Sequence, residues 1–183
     1  FLALAALLAA PSAAGLLAAG RVHLQARANV DDGDVAAARW VVERVPAAAT
    51  LAVCDVGAIK FLAPNPIVDL AGIVTPEVAL EVARARREQG RDWPPVLYAY
   101  LERVRPDYVI LFPKWFPLLE REPARFAPRL RLRIRDNVAL AGDELVVYST
   151  PWTRYPLRPE AAPLRPEAAL LQPEADTSTR STP

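Results

Sequence analysis

The sequence predicts an α/β protein with a mixed sheet of about five strands and flanking helices. Two short apolar runs, 50–54 and 67–70, each contain or precede an aspartate with a glycine close behind. Buried parallel strands have this pattern where they stop and turn. A third apolar run follows at 107–112. The last two, 129–135 and 144–150, have no helix between them, which predicts a terminal antiparallel pair.

Helices are predicted before and between these strands. The acidic run at 31–34 suits a helix N-terminus, where carboxylates complement the dipole, and Pro46 ends that helix. Residues 75–77 (Thr-Pro-Glu) predict a second helix start, with Gly90 at its end. A third helix is expected between 94 and 105. Strands separated by helices in this order favour a sheet covered by helices.

The composition excludes several classes of function. The chain has 22 basic and 21 acidic residues, and this balance does not favour nucleic-acid binding. Cys54 is the only cysteine, so an internal disulfide and a cysteine-based metal site are excluded. His23 is the only histidine and has no acid or cysteine at metal-ligand spacing. We therefore predict no metal, no cofactor and no catalytic residue in this sequence.

The first twenty residues carry no charge, and this is the length that a helix needs to cross a bilayer. We interpret 1–20 as a transmembrane helix, with a secretory signal peptide as the alternative. Both interpretations place the rest of the chain outside the cytoplasm. Arg21 and Arg27 are evidence against an extracytoplasmic location, because basic residues next to a span favour the cytoplasmic side. The absence of methionine, even at Phe1, favours a sequence that continues upstream.

The C-terminal part has a different character from the domain that precedes it. The seven-residue unit PLRPEAA at 156–162 recurs without change at 163–169. A proline-rich repeat of mixed charge cannot form a core, which predicts a disordered tail. The predicted organisation is a transmembrane helix or signal-like segment at 1–20, an extracytoplasmic α/β domain at 21–154 and the tail at 155–183.

The strand ends supply the first candidate site residues. Open α/β sheets bind ligands at the carboxyl ends of their strands, where Asp55 and Asp69 are expected to hold a sugar hydroxyl or a cation. Lys60 is a candidate partner for either carboxylate. The alternative, which we favour, is that both aspartates tie down the backbone of their turns. Gly57 and Gly72 are expected to serve backbone geometry.

The second candidate site is a row of arginines in the fourth strand. Strict alternation over 129–135 predicts that the apolar side chains point inward and the arginines outward. Guanidinium groups match phosphate geometry, so this row is a candidate contact for lipid phosphates. The alternative is a solvated strand face whose charges block edge pairing. The row consists of Arg129, Arg131, Arg133 and Arg135.

Several of these motifs occur together in one known kind of protein. The apolar segment, a helix ending at Pro46, the string DVGAI at 55–59 and the string VDLAGIVTPE at 68–77 follow one another in this order. This order resembles the extracytoplasmic C-terminal domain of polytopic membrane glycosyltransferases that use polyprenyl-phosphate sugars. The protein mannosyltransferases and aminoarabinose transferases are of this type.

The resemblance implies a domain on the outer side of a bacterial cell membrane. The sugar would pass from the lipid-linked donor to a glycan or lipid acceptor. In this family the catalytic aspartate lies in an early loop between membrane helices, which is not in this sequence. Two other functions stay open: a membrane-anchored module that binds glycan or lipid, and a purely structural interaction domain.

Overall fold

The computed structural model describes residues 2–90 and 93–159, with side chains from residue 14 onward. The helices are α1 Leu2–Val30, α2 Ala36–Arg44, α3 Gly57–Leu62, α4 Pro76–Gln89, α5 Trp93–Val104 and α6 Pro117–Arg121. A π-helical turn, Asp31–Val35, joins α1 to α2. The strands are β1 Leu51–Val53, β2 Ile67–Asp69, β3 Tyr108–Leu111, β4 Ala127–Arg133 and β5 Glu144–Ser149.

The strands form one five-stranded mixed sheet, which confirms the predicted fold class. Their spatial order is β2-β1-β3-β5-β4. The strands β2, β1 and β3 are parallel, with Ala52 opposite both Val68 and Val109. The strands β5 and β4 complete the sheet in antiparallel pairs. The two predicted strands therefore end side by side, as their aspartate-glycine turns indicated.

Alternate side chains of the sheet enter two separate cores. Leu51, Val53 and Ile110 point to the side covered by α2 and α3, here called the α2 face. Ala52 and Val109 point to the side covered by α4, α5 and α6, here called the α4 face. This two-residue period follows from the pleat of a strand. The domain consequently has three layers, with the sheet in the middle.

The connections between the parallel strands produce a topological switch point. The chain passes from β1 to β2 through α3 on the α2 face, and from β2 to β3 through α4 and α5 on the α4 face. The connection that leaves β1 runs toward β2, and the connection that leaves β3 runs toward β4, so the order reverses between β1 and β3, beside the carboxyl end of β1. Open α/β sheets bind ligands beside the carboxyl end of such a strand.

The N-terminal helix differs from the sequence expectation. The acidic run at 31–34 does not start a helix, because α1, the π turn and α2 form one continuous helical segment. Gly33 explains the close packing of the π turn, since a Cβ there would lie 2.6 Å from Leu140 Cδ1. Among the residues that the structure describes, no helix is long and apolar enough to cross a membrane.

The domain extends beyond residue 154, where the sequence analysis ended it. Tyr155 and Leu157 pack against the core of the α2 face. The backbone N–H of Arg158 donates to the carbonyl of Arg44, at 2.7 Å. The first unit of the repeat therefore begins on the domain surface, because its leucine finds an apolar site there. The predicted disordered tail lies outside the described residues from position 160 onward.

A buried carboxylate fixes the opposite rim of the sheet, where the parallel strands begin. Asp107 is fully buried and accepts hydrogen bonds from the backbone N–H groups of Thr50 and Arg154, at 2.8 and 2.7 Å. The guanidinium of Arg154 lies 2.8 Å from the same carboxylate. Burial alone would raise the pKa of Asp107, but the hydrogen bonds from Arg154 and Thr50 lower it below the ordinary value of 3.8.

We expect Asp107→Asn to lower the free energy of unfolding by about 2–3 kcal/mol, because two backbone N–H donors and the exposed guanidinium of Arg154 lose a buried carboxylate. The lowered pKa stabilises the folded state only above the unfolded value, so this difference should fade as the pH falls below about 4. Urea unfolding at several pH values measures both effects. Glu88→Gln, on the exposed side of α4, is the control; an equal loss there would contradict the assignment.

Candidate functional site

The candidate site lies at the rim where β1, β2 and β3 end, here called the carboxyl rim (54–55, 69–70 and 112–114). Asp55 follows β1 directly and is partly exposed. The π turn lies over the same rim, because Gly33 packs on Leu140 and Ile134 beyond the ends of β4 and β5. This arrangement brings Asp34 of the π turn next to Asp55. The sequence analysis did not identify Asp34 as a site residue.

Asp34 is buried in an unusual state for a carboxyl group. Its side chain is only 4 % exposed, and its Oδ1 atom has no hydrogen-bond partner. Burial raises the pKa of Asp34 to about 7, and the charge of Asp55 and a hydrogen bond to it add to the rise. Asp34 therefore stays largely protonated until the pH approaches 7.

The π turn is the local reason for this position of Asp34. A π turn adds one residue to a helical turn, which rotates the following side chains about the axis, and such turns are frequent at functional sites. Here the turn directs Gly33 and Asp34 inward, whereas Asp31 and Asp32 stay exposed. The DDGD string shows the acidic residues but not the turn, so sequence alone suggested a helix cap.

Asp69 has a structural environment that fits the backbone role. Its buried carboxylate accepts hydrogen bonds from the backbone N–H groups of Ala71, Ile73 and Val74, at 2.8, 2.6 and 2.8 Å. The loop turns at Gly72, where φ is +78° and a Cβ would lie 2.7 Å from the Cβ of Ala79. Both oxygens of Asp69 are therefore engaged by its own loop.

Lys60 and Gly57 lie close to Asp55 in sequence and differ in what they contribute. Lys60 is exposed and forms no ion pair within the described part of the chain, so no contact joins it to either aspartate. Gly57 has open space at its Cβ position, and the nearest atom is Asp55 Oδ1 at 3.9 Å. Its backbone does not require glycine. A Cβ at this position would make only an ordinary van der Waals contact with the Asp55 carboxylate.

The predicted arginine row separates into two pairs. Arg131 bridges Glu120 and Glu144, with N–O distances of 2.9 and 3.0 Å. Arg129 donates to Ser149 Oγ at 2.8 Å. Arg133 and Arg135 are exposed and have no ion pair among the described residues. The inward positions of Leu130, Leu132 and Ile134 confirm the predicted alternation.

The other chemical candidates stay in the core or lack partners. Cys54 is buried, and burial together with the charges of Asp69 and Asp55 raises the pKa of its thiol, so it is protonated and unreactive. Within residues 2–90 and 93–159, no group of three metal-ligating side chains is present. The site is thus a carboxyl pair, Asp34 and Asp55, beside an open backbone position.

These features define an α/β domain with an acidic pair at the carboxyl rim of its sheet. The chain belongs to a family described as a domain of unknown function, DUF8728, whose model matches residues 21–158. The matched range ends at the residue that pairs with Arg44, so it agrees with the extent of the folded domain. No curated protein and no solved structure matches the chain.

We expect Asp34→Asn to stabilise the domain above pH 7 by about 1–3 kcal/mol, because it removes the cost of burying a charge. The raised pKa means that the folded state takes up a proton that the unfolded state has lost. The stability of the natural chain should therefore fall as the pH rises from about 4 to about 7. Thermal unfolding across this range should show a flatter profile for the variant.

Asp32→Asn is the matched control, because Asp32 lies in the same π turn but is exposed. Its unfolding profile should stay within about 0.5 kcal/mol of the natural chain at every pH. Destabilisation by Asp34→Asn at pH 8 would contradict the raised pKa of Asp34, since it would mean that the ionised carboxylate is stabilising there.

Proposed function

We propose that this chain is the extracytoplasmic C-terminal domain of a membrane glycosyltransferase that uses a lipid-linked sugar. In this proposal the catalytic aspartate lies in a membrane loop outside this sequence, and the domain binds the donor sugar near the bilayer. One observation carries the proposal: the helix that bears the apolar N-terminal stretch leaves the domain at the carboxyl rim.

The direction of the helix follows from its contacts. At its C-terminal end, α2 meets the segment near Tyr155, which accepts a hydrogen bond from Tyr108 at the amino end of β3. At the other end, Asn29 donates to the carbonyl of Arg135, just past the carboxyl end of β4, at 2.8 Å. The helix therefore runs along the α2 face and continues past the carboxyl rim. A membrane around α1 would face the Asp34–Asp55 pair.

The exposed part of α1 supports insertion into an apolar environment. Leu16, Leu17 and Leu24 expose 76, 69 and 66 % of their surface, and residues 14–20 touch no core cluster of the domain. Residues 2–20 of this helix include no charged residue. Such a helix is found in a large protein core or in a membrane. We propose that α1 inserts into the lipid bilayer.

The Asp34–Asp55 pair supports a role in sugar binding. The protonated carboxyl of Asp34 can donate a hydrogen bond and the neighbouring carboxyl of Asp55 can accept one, and sugar hydroxyls do both. Asp55 is partly exposed, and the open position at Gly57 leaves room for a ring beside it.

Insertion of α1 into the bilayer is tested by membrane extraction of the full chain. We expect Leu16→Gln/Leu17→Gln to lower the fraction that stays with membranes after alkaline extraction by about tenfold, because two apolar side chains would have to leave lipid. The matched control is Ile73→Gln/Leu80→Gln, two apolar side chains that are equally exposed on the body of the domain. Equal retention of both double variants would contradict insertion of α1.

Sugar binding is tested with the full chain in lipid nanodiscs that contain a polyprenyl-phosphate hexose. We expect Asp55→Asn to weaken binding about tenfold, which corresponds to the loss of one charge-assisted hydrogen bond. Glu77→Gln, an exposed acid of α4, should leave the affinity unchanged. No binding by the natural chain, with membrane attachment intact, would favour the structural interaction domain and contradict the transferase proposal.

A further inference from the structure

We infer that Arg21, Arg133 and Arg135 form a surface that binds the phosphates of anionic lipid headgroups. This inference rests on the proposed insertion of α1 and names a lipid partner for the domain beside it. It starts from the row of four arginines in and after β4, of which only the last two are without partners in the described residues.

One face of α1 contacts the backbone of Arg135. Asn29 Nδ2 and Gln25 Nε2 both donate to the backbone carbonyl of Arg135, at 2.8 and 3.3 Å. Residues four apart lie on the same face of a helix, so Arg21 occupies the next position on this face. Arg21 is exposed and has no ion pair among the described residues. Arg21 therefore lies on the side of α1 that faces the backbone of Arg135, and Arg133 borders the cleft beside it.

The depth of this surface matches the headgroup region. Each helical residue rises 1.5 Å, so Gln25 lies about 7.5 Å beyond the end of the apolar segment at residue 20. The headgroup layer is about 5–8 Å thick on each side of the hydrocarbon. Arg21 would lie inside this layer. Arg135, held at the level of Gln25, would lie at its outer boundary with its side chain free to reach inward.

The arginines border an open cleft, which also contains acidic groups. The cleft has a volume of about 730 Å³, and its lining includes Arg133, Arg135, Asp136, Asn137 and Asp143. Asn137 Nδ2 donates to Asp143 Oδ1 at 3.2 Å, so that carboxylate already has a partner. Neither carboxylate forms an ion pair with the arginines in the described residues. The guanidinium groups consequently stay available for phosphate, which they bind through paired N–H donors.

The other charged residues near α1 do not favour a different ligand at this surface. Arg27 pairs with Asp31 one turn later, at 3.7 Å, on an exposed part of the helix. Asp32 is exposed beside it. These groups lie closer to the domain than Arg21 does, so an approaching anionic bilayer would meet the arginine first.

The test is flotation of the full chain with vesicles of phosphatidylcholine, with and without phosphatidylglycerol. We expect the anionic lipid to increase binding of the natural chain, and 1 M salt to remove the increase. Arg133→Gln/Arg135→Gln should lower binding to the anionic vesicles by about 25-fold, at about fivefold per arginine, and leave binding to neutral vesicles unchanged.

The matched control is Arg84→Gln/Arg87→Gln, which removes the same charge from exposed positions of α4. An equal loss in both double variants would overturn the inference, because it would show an effect of net charge alone. Unchanged binding of both double variants to anionic vesicles would also overturn the inference. Failure of the natural chain to bind neutral vesicles would contradict the anchor, while arginine-dependent binding to anionic vesicles would still support this surface.

Thermal unfolding distinguishes a lost lipid contact from a damaged fold. Arg133 and Arg135 are exposed and unpaired within the described residues, so we expect the Tm of their double variant to match that of the natural chain. Arg131→Gln offers a further comparison, because Arg131 is bound to Glu120 and Glu144. It should lower the Tm and leave binding to anionic vesicles close to that of the natural chain.

Discussion

The contact between the π turn and the carboxyl rim is the constraint on which the rest of the structure depends. Gly33 packs against the side chains of Leu140 and Ile134, and a Cβ there would have to displace the Leu140 methyl group 2.6 Å away. Asn29 adds a second connection, because it donates to the carbonyl of Arg135 and accepts from the backbone N–H of Val138. These contacts determine where α1 leaves the domain, and they bury Asp34 beside Asp55.

The sheet could be predicted because its signals are local. The parallel strands are short apolar runs bounded by turn residues, and the Thr-Pro-Glu start of α4 and its left-handed end at Gly90 are found as expected. In β4 the strict alternation placed the leucines inward and the arginines outward. The backbone role of Asp69 could be predicted from a local signal too, because an aspartate before a glycine turn commonly binds the loop amides.

The other features depend on contacts between distant parts of the chain, which the sequence alone does not show. An acidic run with a glycine is typical of a helix start, and only the approach of Leu140, over a hundred residues later, makes Gly33 a contact inside a continuous helix. Asp34 was missed for the same reason. Likewise, Leu157 resembles every other leucine of the repeat until the core offers it a site. Which arginines of β4 are neutralised depends on Glu120 and Glu144, residues of separate elements.

The continuous helix has a mechanical consequence. Because α1 passes into the π turn and α2 without a loop, the domain has no joint that would let it reorient independently of whatever holds its N-terminal end. A rotation of α1 about its own axis would therefore be carried through the π turn and would change the position of Asp34 relative to Asp55 at the carboxyl rim.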